Sequence, residues 1–158
     1  MSFKILIQLG LSIMFLLFST FAAWYEGSQI LDDPWEWKYS AIFSNFVHGQ
    51  VENVREIIWV DHFVYAAKFM PAFPLLMLLS GTYLVFLVGY ILFNRRHKVY
   101  FTFLTIIGVI NLFLSWLLTS SSTEGLKMFQ YSFLIIGILS IVISFMWILN
   151  KKDDIVIQ

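Results

Sequence analysis

The chain has 158 residues, of which 59% are hydrophobic and only 13% charged, and its formal net charge is zero. Soluble domains carry roughly 25% charged residues, so this composition, with a mean hydropathy of +0.80, excludes an ordinary water-soluble fold; neutrality removes any overall pull toward nucleic acid. The absence of cysteine excludes disulfides, thiolate metal sites, cysteine nucleophiles, a lipid anchor on cysteine and thiol redox chemistry.

The first apolar run covers about 5–23 and contains no charged residue. It is close to the roughly 20 residues that a hydrocarbon core about 30 Å thick requires. Backbone groups in lipid must bond within their own segment, so the run is read as a helix. Lys4 in front of it and Thr20-Phe21-Ala22 near its end also fit a cleaved signal peptide, but the run is longer than the usual 7–15-residue signal core.

The segment 24–72 that follows is of another kind. It holds seven of the ten acids, four of the six tryptophans and two of the three histidines. A disordered tether would be poor in aromatic residues, so a small folded cap is expected. Asp33-Pro34-Trp35-Glu36 reads as a helix start, with Asp33 as N-cap and Pro34 at the first position. Trp35, Tyr39, Ile42, Phe43 and Phe46 then recur at helical spacing and define the expected apolar face. The same stretch alternates as Trp35, Trp37, Tyr39, Ala41, Phe43, a strand pattern; the start signal decides for helix. A second helix is expected over 51–69, broken near Asp61, with Val51, Val54, Ile58, Tyr65 and Phe69 on its apolar face. Met70-Pro71-Ala72-Phe73-Pro74 marks the turn out of the cap, because residues before proline avoid helix.

Three more charge-free apolar runs follow at about 73–93, 99–118 and 128–149. The expected fold class is therefore all-α: a four-transmembrane-helix bundle in one membrane domain, 1–158, with a folded helical cap between the first and second helices. Lys4, Arg95, Arg96, Lys98, Lys151 and Lys152 all fall on one side of four spans. The positive-inside rule makes that side cytoplasmic, with both termini inside and the cap outside.

Chemistry-bearing residues are few. His48, Glu52 and Glu56 are spaced by four and could face a divalent metal from one helix. Gly49 weakens that helix and Arg55 competes for the acids, so a solvated face is the better reading and no metal or cofactor is expected. Asp61-His62 sits at an expected helix start, with Asp61 as N-cap; the functional alternative is an acid–base or pH-sensing pair. No nucleophile with hydrolase spacing accompanies it. Within the spans, Asn111, Gly108 and Ser115, with Thr105 close by, and Gly137, Ser140 and Ser144 opposite, are the residue types that let helices approach and exchange hydrogen bonds. No span carries an ionisable group of the kind that marks transport sites.

Trp24-Tyr25-Glu26-Gly27, Asp33-Pro34-Trp35-Glu36-Trp37-Lys38-Tyr39 and Asp61-His62-Phe63-Val64-Tyr65-Ala66-Ala67-Lys68 together resemble a family of small four-helix membrane proteins of unknown function from low-GC Gram-positive bacteria. The resemblance covers nearly the whole chain and implies a bacterial plasma membrane; it brings no activity and no catalytic residue. The long first loop and short second one are also similar to the layout of tight-junction four-helix proteins. Their paired cysteines are absent, so that likeness is architectural.

These readings point to a non-enzymatic membrane protein whose outer loop binds a membrane or envelope protein, a lipid or another envelope component. Trp35, Trp37, Tyr39, Trp59, Asp61 and His62 are its candidate partner-binding residues, since Trp and Tyr are common interface anchors. The alternative is a transporter or channel subunit that acts as an oligomer.

Overall fold

The computed structural model describes residues 2–93 and 96–156, with side chains through Leu149. Arg95 and the side chains of Lys151 and Lys152 lie outside the described residues. Among those described, all regular structure is helical. Seven α-helices run in chain order: α1 (Phe3–Gly27), α2 (Trp37–Ser40), α3 (Ile42–His48), α4 (Trp59–Phe69), α5 (Ala72–Phe93), α6 (His97–Leu117) and α7 (Glu124–Val156). Single 3-10 turns occupy Ser28–Asp32, Pro34–Glu36 and Val54–Glu56. Four helices are long and apolar enough to cross a membrane: Phe3–Asp32 including its terminal 3-10 turn, Ala72–Phe93, His97–Leu117 and Glu124–Leu149. The count exceeds the four expected spans because the cap contributes three short helices of its own.

The long apolar helices bond several of their hydroxyl groups locally. Ser19 and Thr20 donate to the carbonyls of Phe15 and Leu16, each at 2.7 Å. Ser80 and Ser140 do the same to Leu76 and Ile136, also at 2.7 Å. Such back-bonding lets a hydroxyl sit in an apolar helix without an unpaired donor. Pro74 falls in the first turn of α5, where no intrahelical N–H bond is lost.

The chain divides into two compact units. The first comprises Met1–Leu84 with Ser122–Leu126, the second Val85–Ser121 with Lys127–Gln158. In the first, α1 runs unbroken past Ala23 to Gly27, so Trp24 lies in its last turn instead of opening a loop. Ser19, Ala23 and Gly27 of α1 are fully buried, and α4 packs chiefly on α1. Gly27 permits this approach: a Cβ there would stand 1.9 Å from the His62 carbonyl oxygen. Gly125 is used similarly, because a Cβ would meet the Ala67 and Lys68 carbonyls at 2.3 and 2.4 Å.

In the second unit α6 and α7 are joined along small residues. A Cβ on Gly108 would lie 3.0 Å from the Gly137 carbonyl and 3.2 Å from the Ser140 Cβ. The Thr105 and Ser144 hydroxyls are 2.8 Å apart, and Ser144 donates to the Phe101 carbonyl at 2.9 Å. Ser115 donates to the Gln130 carbonyl at 2.9 Å. Asn111 is buried and turns its amide back to the Ile107 carbonyl at 2.8 Å. Close approach of this kind lets dispersion and hydrogen bonding join the two helices.

Gly10 of α1 has nothing within 4 Å of an added Cβ, which makes it a control for Gly27. Gly27→Ala should destabilise the first unit by about 1–3 kcal/mol, as overpacking does. Gly10→Ala should be neutral or gain up to about 1 kcal/mol from helix propensity. Thermal unfolding in detergent would compare the two, and equal effects would show that the α1–α4 contact is not as close as described.

Candidate functional site

The cap is built around one turn of chain reversal. Pro34 opens a 3-10 turn, and α2 follows at once, but Ala41 (φ −84°, ψ 55°) breaks the helix before α3. The single helix expected from Asp33 is thus two short ones, and the Asp33 side chain makes no capping hydrogen bond. Ile30, Trp37, Ala41, Val51 and Tyr65 form the buried cluster, with Leu31 and Ile57 packed on it. The Trp37 indole N–H donates to the Ile30 carbonyl at 2.7 Å. Asn45 ties the next loop down, donating to the Trp37 carbonyl at 2.8 Å and accepting from the Val51 N–H at 3.1 Å.

The break at Ala41 is bracketed by two charged residues of α4. Asp61 is fully buried. Its Oδ1 accepts from the Phe43 N–H at 2.9 Å and its Oδ2 from the Ser44 N–H at 2.8 Å. These are orphan donors in the first turn of α3. The Ser44 hydroxyl also donates to Asp61 and in turn accepts from the Ile58 N–H at 2.7 Å. Asp61 was expected to cap its own helix; that start instead has Ile58 at the cap position, and the carboxylate caps α3 across the cap. Two turns further on, the Lys68 ammonium donates to the Tyr39 carbonyl at 2.6 Å and to the Ser40 hydroxyl at 3.0 Å. Ser40 donates to Glu36, which lies 4.0 Å from Lys68. Burial holds the Lys68 ammonium below its usual range, with Glu36 opposing. An anion thus meets the start of α3 and a cation the end of α2, the arrangement that helix dipoles favour.

This packing turns the expected apolar face inside out. Trp35 and Phe46 are 89% and 91% exposed, and Tyr39, Ile42 and Phe43 also face outward. Trp37, expected among the partner-facing residues, is 8% exposed and belongs to the core. Asp61 and His62, expected with it, are buried too. Trp35, Tyr39 and Trp59 remain on the surface, where Ile42, Phe43 and Phe46 join them. Their helical spacing was visible in the sequence; their direction was not. The helix expected over 51–69 begins only at Trp59, and Val54 and Phe69, placed on its inner face, are exposed.

His62 packs against α1 with its ring stacked on Trp24, centroids 6.0 Å apart. Its Nδ1 is buried without a partner. Burial pushes its pKa below the ordinary value of 6.5, while a hydrogen bond with the Trp24 backbone and the Asp61 charge pull the other way. His48 and Glu52 are exposed around Gly49, which ends α3 with φ +82°. Glu56 accepts from the Glu52 N–H at 2.9 Å, and that bond holds its carboxyl below the usual range. Lys4, Arg96 and Lys98 are exposed.

Residues 6–93 match a family model described as a domain of unknown function, DUF4306. The chain is also 36% identical over 83 residues to the uncharacterized protein YjdJ of Bacillus subtilis strain 168. That alignment covers 51% of this chain and 76% of YjdJ. No solved structure matches. The family match ends at Phe93, the last residue of α5, so it takes in the cap and the two helices that flank it.

Asp61→Ala would strand two N–H groups and a hydroxyl. Each buried donor left unmatched costs about 1–3 kcal/mol, so the cap should lose at least about 3 kcal/mol, and Asp61→Asn somewhat less. Cleavage rates at the exposed Lys38 and Arg55 would report it. The depressed His62 pKa has a signed consequence as well. The unfolded state takes up a proton that the folded state resists, so stability is full above about pH 6.5 and falls as pH drops through that value. Unfolding midpoints at graded pH should show this slope, and His62→Gln should flatten it.

Proposed function

The chain belongs to the DUF4306 family, and from the cap it carries we propose that it is a non-enzymatic, membrane-anchored binding protein whose cap recognises a partner protein at the outer face of the plasma membrane. The observation that carries this reading is the outward set of Trp35, Tyr39, Ile42, Phe43 and Phe46 on a support locked by Asp61 and Lys68. Large aromatic side chains exposed together mark interaction surfaces. A rigid support lowers the ordering cost of binding. We read the four apolar helices as spans of one membrane domain. The basic residues Lys4, Arg95, Arg96, Lys98, Lys151 and Lys152 place both termini in the cytoplasm, and the cap is then extracytoplasmic. The alternative of an oligomeric transporter or channel subunit has less support. The side chains of Thr105, Asn111, Ser115 and Ser144 in the α6–α7 pair are spent on one another and on backbone carbonyls.

The absence of cysteine makes the orientation directly measurable. Gln50→Cys and Ser121→Cys should react with an impermeant thiol reagent on intact cells, and Asn94→Cys should not. A photoreactive phenylalanine analogue at Trp35 or Phe46 should then yield one discrete protein adduct in native membranes. The same probe at Tyr25, exposed on α1, should yield none. Adducts with lipid alone at positions 35 and 46 would overturn the partner-protein reading.

A further inference from the structure

Where α4 crosses the upper end of α1, the two helices enclose a notch of about 310 Å³ lined by Thr20, Phe21, Trp24, Trp59 and Phe63. We propose that this notch holds an acyl chain of an outer-leaflet phospholipid and so sets the depth at which the cap rests on the membrane.

Position is the first argument. Thr20 and Phe21 lie within the apolar run of α1 and Trp24 just past its end, the level at which indoles gather between hydrocarbon and headgroups. Lining is the second. The Thr20 hydroxyl is spent on the Leu16 carbonyl at 2.7 Å, so the walls offer hydrocarbon and aromatic surface with no free hydroxyl. The two walls are also held still. Trp24 stacks on His62, Trp59 meets Phe63 edge to face with centroids 6.5 Å apart, and Gly27 lets α4 close onto α1. The notch is an open groove whose walls are braced on both helices.

Continuity names the occupant. Met14, Leu17, Phe21 and Trp24 recur at helical spacing along α1 and are all exposed. They form one apolar stripe that runs out of the span into the notch. Trp59 completes the far wall and is 64% exposed. An acyl chain lying along that stripe reaches the notch without leaving hydrocarbon. The cap then sits with the Trp59–Phe63 edge of α4 in the headgroup layer. The inference rests on α1 being a span and is independent of what the Trp35–Phe46 surface binds.

The test uses the full chain in phosphatidylglycerol vesicles doped with photoactivatable phosphatidylglycerol, its diazirine near either the top or the end of one acyl chain. Adducts are mapped by mass spectrometry. With the diazirine near the top, labelling should appear on Trp24, Trp59 and Phe63. With the diazirine at the end, it should move to Met14 and Leu17. Thr20→Phe, which fills the notch, should abolish labelling of Trp59 and Phe63 and leave Met14 labelled; protease resistance at Lys38 would confirm that this variant keeps its cap. Wild-type protein labelled at Met14 and Leu17 but never at Trp59 or Phe63 would overturn the notch while leaving the span intact. Loss of labelling at all four positions would overturn the span reading and the notch with it.

Discussion

Two backbone N–H groups at the start of α3 point at the carboxylate of Asp61, and the arrangement of the cap follows from where that carboxylate stands. A buried carboxylate is costly unless its oxygens are fully bonded; here three donors from the Phe43–Ser44 corner meet it. To bring them within reach, the chain must break between α2 and α3, and it does so at Ala41. The break would leave the Tyr39 carbonyl unpaired, and Lys68 of the same short helix covers it while also donating to the Ser40 hydroxyl. One short helix thus braces both sides of the break. Side chains on the inner wall of α2 and α3 are small or hydrogen-bonded, and the large apolar ones are left outside.

Helix α4 has a second face, and that face binds the cap to the long apolar helix α1. His62 meets the Gly27 backbone and the Trp24 ring, while Asp61, Tyr65 and Lys68 look the other way into the cap. The helix is an adaptor: charged and aromatic residues toward the short helices, close-packed contact toward α1. Both faces lie within the segment that defines the DUF4306 family. The α6–α7 pair lies beyond that segment and is held by different means, glycine against glycine and serine against carbonyl. The two halves of the chain solve their packing separately, one through a buried ionic device and the other through small residues.

The surface left by this packing divides by chemistry. The Trp59–Phe63 edge adjoins the end of an apolar helix and offers hydrocarbon to hydrocarbon. The Trp35, Tyr39 and Phe46 surface belongs to the short helical segments of the cap, which also carry the exposed side chains of Lys38 and His48. Aromatic residues of the first unit therefore serve three ends: Trp37 and Tyr65 in the core, Trp24 and Trp59 along the α1–α4 edge, and Trp35 and Phe46 outward. Composition alone shows only that they are many.

The spans were legible because transfer into hydrocarbon is a local, additive property of consecutive side chains. Charge-free runs at 73–93 and 99–118 became α5 and α6 within two residues at either end, and the cap was recognisable by its acids and indoles. The glycine–serine spacing that joins α6 to α7 was legible for the same reason, since helical periodicity is local. The inside and outside of the cap were not. Trp35 and Trp37 are near neighbours of the same type, and the sequence offered both as partner-facing. Trp37 went in because the Ile30 carbonyl was there to receive its N–H, and because Asp61, 17 and 18 residues beyond its partners, fixed the rotation of α3. A carboxylate whose partners are that distant leaves no mark on the local pattern. The sequence by itself determined which segments are apolar and helical; only the tertiary structure decided which way the cap faces, because that depends on buried hydrogen bonds between residues far apart in the chain.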